Sequence, residues 1–317
     1  MRRTVTALAA AILAAAAGIV TAAPAAAKDT QPAASGHVMK TSPYVALGDS
    51  YSAAAGVYPQ VPDAPVTCSR SLENFAHDIA GLTGAESFTD VTCSGAKTSD
   101  FFSSQAPGVA PQLAAVTKKT RLVTMTIGGN DGDAFRTILN GCVTASLASG
   151  SIFGDPCEQQ FGSTFTDLVA NQTYPDLVNA LTAVRRQAPR ATVVILGYPR
   201  VMPHTGVPAC YPAMPISMGD VRYVTHWEEA LNSAVEKAAV ETGVRYIDMW
   251  PSSADRDVCQ PASQRWIEPL NGPINADPVH PNTTGVAAMA AQTLNQLGID
   301  VGDCDRSKAA VDADNQN

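Results

Sequence analysis

Four short stretches of the chain carry groups able to transfer an acyl group. Gly48-Asp49-Ser50-Tyr51 follows the apolar run from Tyr44 to Leu47, so a short hydrophobic segment ends in a hydroxyl nucleophile. A serine hydroxyl is a poor nucleophile until a base takes its proton. Histidine, with an unperturbed pKa of about 6.5, suits that task near neutral pH. Of the five histidines, His37 lies in a polar leader, His77 and His226 fall within helical patterns, and His204 sits in a Pro-rich loop. His280 is different: in Asn275-Ala276-Asp277-Pro278-Val279-His280-Pro281-Asn282 two prolines restrict the loop just before a helical stretch. Asp277 can accept the imidazole N–H and hold the correct tautomer, the orienting role of a triad acid.

Acyl transfer also needs donors aimed at the oxyanion that forms on the carbonyl. Gly95, in Cys93-Ser94-Gly95-Ala96, can bring its backbone N–H close because it has no side chain in the way. Asn130, in Gly129-Asn130-Asp131, offers a side-chain amide, and the Ser50 N–H is a third donor. Each residue alone has an ordinary structural reading, as turn former or helix cap. Their common position at the ends of apolar segments is what favours a site.

Those segments alternate with helical patterns. Strands are expected at Tyr44 to Leu47, Ser87 to Val91, Arg121 to Ile127, Ala191 to Leu196 and Val244 to Ile247. Helices are expected near Ser71 to Gly81, over roughly twenty residues ending at Gly243, and from Asn282 to Leu297. Strands separated by helices imply a parallel sheet covered on both faces, whose carboxyl edge is where such sheets keep their sites. The segment from Gly141 to Asp167 reads as an insertion rather than a core element.

Residues 1–27 read as an export signal, with Arg2 and Arg3, an apolar centre from Ala7 to Val20, and the small residues Ala25-Ala26-Ala27. That centre is short for a bilayer span, so no stable membrane anchor is expected after cleavage. Residues 28–42 read as a flexible leader, 43–302 as one α/β domain, and 303–317 as a polar, disordered tail. The formal charge of −8, from 21 basic and 29 acidic residues, and the lack of an extended basic run argue against nucleic acid and anionic membranes as partners. Seven cysteines in an exported chain suggest a disulfide framework with one left over. Neighbour order suggests Cys68–Cys93, Cys142–Cys157 and Cys210–Cys259, with Cys304 in the tail, although sequence does not fix the pairing. No Cys-x-x-Cys pair occurs and the histidines lack ligand spacing, so no metal site is expected.

Taken in order, Gly48-Asp49-Ser50-Tyr51, Gly95, Gly129-Asn130-Asp131 and Asp277-Pro278-Val279-His280 resemble the four signature blocks of the GDSL, or SGNH, hydrolases. The resemblance covers roughly residues 43 to 298 and looks closest to the secreted actinobacterial esterase and lipase branch, which similarly carries three disulfides. It implies a single-domain three-layer α/β/α sandwich with a five-stranded parallel sheet of flavodoxin-like order. It implies Ser50 as nucleophile, His280 as base, and an oxyanion hole of the Ser50 N–H, the Gly95 N–H and the Asn130 side chain. Tyr51 replaces the family's leucine, a common departure in this branch. Some relatives orient the histidine with a backbone carbonyl, so Asp277 and a carbonyl are both open as its partner. No cofactor is required. The expected substrate is a lipid or other small-molecule ester, with acetylated polysaccharide as the alternative, a non-catalytic binding protein as the remaining reading, and a monomer as the expected state. Val57, Tyr58, Phe135, Ile138, Met202 and Met214 are among the apolar loop residues expected to shape an acyl pocket, with all three tryptophans elsewhere.

Overall fold

The computed structural model describes residues 43–299; the expected signal, leader and tail, with His37 and Cys304, lie outside them. Five short strands form one sheet: β1 (Tyr44–Ala46), β2 (Phe88–Asp90), β3 (Leu122–Met125), β4 (Thr192–Leu196) and β5 (Arg245–Ile247). All pair in parallel, in the order β2-β1-β3-β4-β5. β1 and β3 are buried at every residue, as near-continuous apolar runs must be when helices cover both faces. The main helices are α1 (Ser50–Ala53), α2 (Phe75–Thr83), α3 (Ala134–Ser149), α4 (Pro156–Phe161), α5 (Thr164–Leu168), α6 (Tyr174–Gln187), α7 (Met218–Thr242) and α8 (Thr283–Gln296).

From β1 the chain crosses one way to β2, and from β3 the other way to β4 and β5. Right-handed crossovers in opposite directions put their helices on opposite faces. Accordingly α2 packs with α8, and α6 with α7. The reversal leaves a crevice at the carboxyl ends of β1 and β3, the switch point where sheets of this kind bind ligands.

The helix ends follow local chemistry. Asn74 caps α2 by accepting two backbone N–H groups, which starts that helix later than apolar periodicity suggests. Gly243, at φ 67°, ends α7, and the Asn282 side chain accepts from Gly285 N to open α8. The segment from Gly141 to Asp167 departs from expectation. It is largely helical, and Cys142, Ala145, Cys157 and Phe165 are buried in the main core. Polar spacing hid it because only one stripe of each helix faces inward.

Three disulfides join the described residues in neighbour order: Cys68–Cys93, Cys142–Cys157 and Cys210–Cys259. They close separations of 25, 15 and 49 residues. In the chain-entropy picture each stabilises by about 3–4 kcal/mol. The first ties the loop after α1 to the loop after β2, beside Gly95.

Candidate active site

The end of β1 is held from several sides. Gln112, buried, accepts from Gly48 N at 2.7 Å and donates to Gly48 O at 2.9 Å, so one side chain brackets a single residue. Asp49 then caps α1, accepting from Tyr51 N at 3.0 Å, which puts Ser50 at the helix N-terminus with its own N–H unused by the helix. Asp49 also accepts from Thr126 Oγ1 at 2.7 Å and from Tyr198 Oη at 2.5 Å. Burial pushes its carboxyl up to about 6, against the pull of these donors. Ser50 is buried but not sealed, at 6% exposure.

The loops after β2 and β3 meet beside it. Asn130 Nδ2 donates to Ala96 O at 3.1 Å, which leaves its second amide proton for another acceptor next to Gly95. Gly95 is exposed at φ 77°. Asp131 fixes this meeting by accepting from Thr98 N and from Thr98 Oγ1, both at 2.9 Å. It is buried, which raises its carboxyl to about 7.

His280 arrives on the loop before α8. Its Nδ1 lies 2.8 Å from Pro278 O. A carbonyl can only accept, so Nδ1 carries the proton and Nε2 is left with its lone pair. The structure thus pairs the ring with a backbone carbonyl, whereas the Asp277 carboxylate makes no hydrogen bond to it. The physical reason is local: Asp277 N donates to Ala55 O and Asp277 O accepts from His280 N, and the turn between them aims the Pro278 carbonyl at the ring. Burial lowers the imidazole below its usual value, against the Pro278 hydrogen bond and, more weakly, the Asp277 charge, both of which favour the protonated ring. The ring is half-buried, so its solvent-facing edge tempers that shift. It packs against Tyr51 at 5.4 Å and Phe135 at 5.9 Å between ring centroids.

Two bonds tie this loop to the helix that carries Ser50 and to the turn that follows it: Tyr51 Oη donates to Val279 O at 2.9 Å, and Asp277 N to Ala55 O at 3.0 Å. From behind, Glu268, at 1% exposure, braces it. Glu268 N donates to His280 O, and its carboxylate accepts from Asn282 Nδ2 at 3.0 Å, Ile274 N at 3.1 Å and Arg265 at 2.5 Å. Val279 holds φ 62°, an uncommon conformation for a β-branched residue, under these constraints.

Ser50, Gly95, Asn130 and His280 therefore lie on four loops brought to one edge of the sheet. The other histidines sit elsewhere: His77 packs on Phe88 near Asp90, His226 lies on exposed α7 surface near Glu229, and His204 is exposed. Sequence reasoning missed Gln112, Tyr198 and Glu268. Tyr198 carried a signal, because it follows the fourth strand at the same edge as the other site residues. The expected acyl pocket also changes. Val57, Ile138, Met202 and Met214 are core residues, whereas Trp227 packs on Phe135 at 6.3 Å. Tyr51, Phe135, Tyr198, Trp227, Glu228 and Leu231 pack around a crevice of only about 10 Å³, room for no more than a single water, so the described side chains leave no open acyl pocket there.

A five-stranded parallel sheet of flavodoxin-like order, with a serine, a histidine and an amide donor on the loops at its switch point, is an arrangement suited to hydrolysing acyl esters. The chain belongs to the GDSL-like lipase/acylhydrolase family, whose model matches residues 46–288. It is 45% identical to Lipase 2 of Streptomyces coelicolor over 300 residues, covering 95% of this chain and 98% of that one. Among solved structures it resembles phospholipase A1 from Streptomyces albidoflavus NA297, at 28% identity and a TM-score of 0.67, over 80% of this chain and 99% of that one. It also resembles an extracellular lipase from Streptomyces rimosus, at 25% identity and a TM-score of 0.64, with the same coverage of 80% and 99%.

Proposed function

We propose that this lipase/esterase is an exported serine hydrolase acting on fatty-acyl esters. Ser50 Oγ attacks the ester carbonyl as His280 Nε2 takes its proton. The Ser50 and Gly95 N–H groups and the free amide proton of Asn130 receive the oxyanion. His280 then protonates the leaving alcohol and activates water, which releases the acid and regenerates Ser50. No step calls on a metal or organic cofactor.

The observation that carries this reading is the Nδ1 contact of 2.8 Å to Pro278 O, on a loop bonded to the helix of Ser50. It supplies a correctly protonated base without a carboxylate. The partly exposed Phe135 ring beside His280 presents apolar surface, which favours an acyl chain over a sugar next to the base. The names of the similar Streptomyces proteins, a lipase and a phospholipase A1, point to lipid esters as well. The N-terminal pattern, the disulfides and the resemblance to an extracellular lipase support export.

The test is hydrolysis of aryl esters from acetyl to palmitoyl by the wild type, Ser50→Ala and Asn130→Ala. Ser50→Ala should be inactive. Asn130→Ala should lose roughly 100- to 1000-fold in kcat, the effect of one lost oxyanion donor. Activity confined to acetyl esters would replace the lipid reading with a deacetylase, and a fully active Ser50→Ala would overturn the mechanism.

A further inference from the structure

We propose that the Tyr198 hydroxyl is a positioning group that sets the spacing between Ser50 and Asn130. The inference rests on the mechanism above and adds a residue to it. Tyr198 Oη lies 2.5 Å from Asp49 Oδ2 and accepts from Gly129 N at 3.0 Å. Asp49 precedes Ser50 and Gly129 precedes Asn130, so one oxygen is bonded to the immediate neighbours of both groups.

The direction of the relay is fixed by chemistry. A backbone N–H only donates and a carboxylate only accepts, so the single phenolic proton must go to Asp49 while a lone pair receives Gly129. Beyond β1 and β3 the two chains part. The last ladder contact there is Asp49 N to Thr126 O at 3.0 Å, upstream of the Gly128-Gly129-Asn130 turn. On the side of Asp49 that turn is held by Tyr198, and on the side of Gly95 by the Asp131–Thr98 pair.

Tyr198 is itself anchored. Asn232, from α7, accepts from Tyr198 N at 2.7 Å and donates to Tyr198 O at 2.9 Å. The Tyr198 ring meets Tyr51 edge-on, at 5.2 Å between centroids. Gly129 matches this approach, since a Cβ there would lie 3.1 Å from Tyr198 Oη. A hydroxyl bonded on both sides has no proton left for substrate, so its effect reaches the reaction through Asp49 and Gly129.

Tyr198→Phe keeps the ring and removes the relay. It should lower kcat by about 10- to 100-fold with KM changed by less than about threefold, because a small displacement of reacting groups acts on the transition state. Binding of a trifluoromethyl ketone that mimics the tetrahedral intermediate should weaken in step with kcat/KM. A folded Tyr198→Phe enzyme whose kcat and affinity for the trifluoromethyl ketone are both within twofold of wild type overturns the proposal. Should that variant not fold, 3-fluorotyrosine at position 198 keeps both ring and hydroxyl while strengthening the donor. The same fluorine makes the oxygen a poorer acceptor for Gly129 N, so kcat should fall by about threefold with KM held, and an unchanged kcat counts equally against the proposal. Ser50→Ala run in parallel separates the two readings. If it is inactive while both Tyr198 changes are silent, only the positioning role falls; if it stays active, the mechanism itself falls.

Discussion

Gly56→Ala should damage catalysis without touching any reacting group. Gly56 stands at φ 81°, just after α1, against the loop that carries His280. A Cβ there would lie 2.1 Å from Asp277 N, 2.6 Å from Asp277 Oδ1 and 2.7 Å from Ala276 C. Two of these are backbone atoms and cannot swing aside. Even the shortest separation that real Cβ atoms tolerate, 3.0 Å, requires the two segments to part by about 0.9 Å. Ser50 lies on one side of this contact and His280 on the other, and a misplacement of about 1 Å is worth about 100-fold in rate. The left-handed conformation adds about 1–2 kcal/mol for a residue with a side chain, and overpacking about 1–3 kcal/mol. A total near 3 kcal/mol corresponds to a fall in Tm of roughly 6–12 °C for a domain of this size. The assay is kcat on an aryl ester well below the melting temperature, beside calorimetric Tm. Gly81→Ala is the control, because a Cβ there meets nothing within 4 Å. A Gly56→Ala protein that folds and keeps kcat within threefold of wild type would refute the claim that this contact sets the distance between nucleophile and base.

Asp277→Asn should cost less than about tenfold in kcat, because Pro278 O holds the ring; it should also move the acid limb to lower pH, since the lost charge favours the imidazolium. A loss near the 10⁴-fold of a removed triad acid would restore Asp277 to the orienting role. Stability should fall as pH rises from about 6.5 to 8.5. Burial raises Glu228 to about 8 and Asp131 to about 7, so the folded state binds those protons more tightly than the unfolded chain and loses stability as they leave. His77 and His280 are lowered by burial, so both states are essentially deprotonated above their ordinary value near 6.5 and contribute little in this window. Tm measured across it should decline in the wild type and less steeply in Glu228→Gln; a flat or rising wild-type profile contradicts the reasoning.

The groups with chemistry were legible in the sequence because each sits where a short apolar run breaks at glycine, asparagine or proline. Ser50, Asn130 and His280 could be ranked from such local signals, and the strands around them from runs such as Thr192 to Leu196. What holds those groups together was not legible, because it acts across long separations. Gln112 reaches Gly48 over 64 residues, Tyr198 reaches Asp49 over 149, and Tyr51 reaches Val279 over 228. No periodicity encodes such contacts. The orienting acceptor of His280 stayed open between Asp277 and a backbone carbonyl for a related reason. Any residue can supply a carbonyl, so Pro278 leaves no side-chain signature, whereas Asp277 displayed the expected type in the expected place.

The buried acids suggest why this edge of the sheet is so polar inside. Asp49 accepts from Tyr51 N, Asp131 from Thr98 N, Asp220 from Cys157 N and Glu158 N, Glu228 from Val201 N, Asp257 from Cys259 N, and Glu268 from Ile274 N. All six are buried, and of these contacts only Glu268 also meets a cation, Arg265. A loop that turns sharply leaves backbone N–H groups without a helix or strand to receive them. A carboxylate can accept several of them at once, which a hydroxyl or amide in the same space cannot match. The cost is desolvation, visible in the raised carboxyls of Asp49, Asp131, Asp220 and Glu228. An apolar residue at these positions would relieve that cost but would leave the loop N–H groups buried and unpaired. Part of the chain's acidic balance is therefore internal scaffolding for loops, and the four of them that carry Ser50, Gly95, Asn130 and His280 depend on it directly.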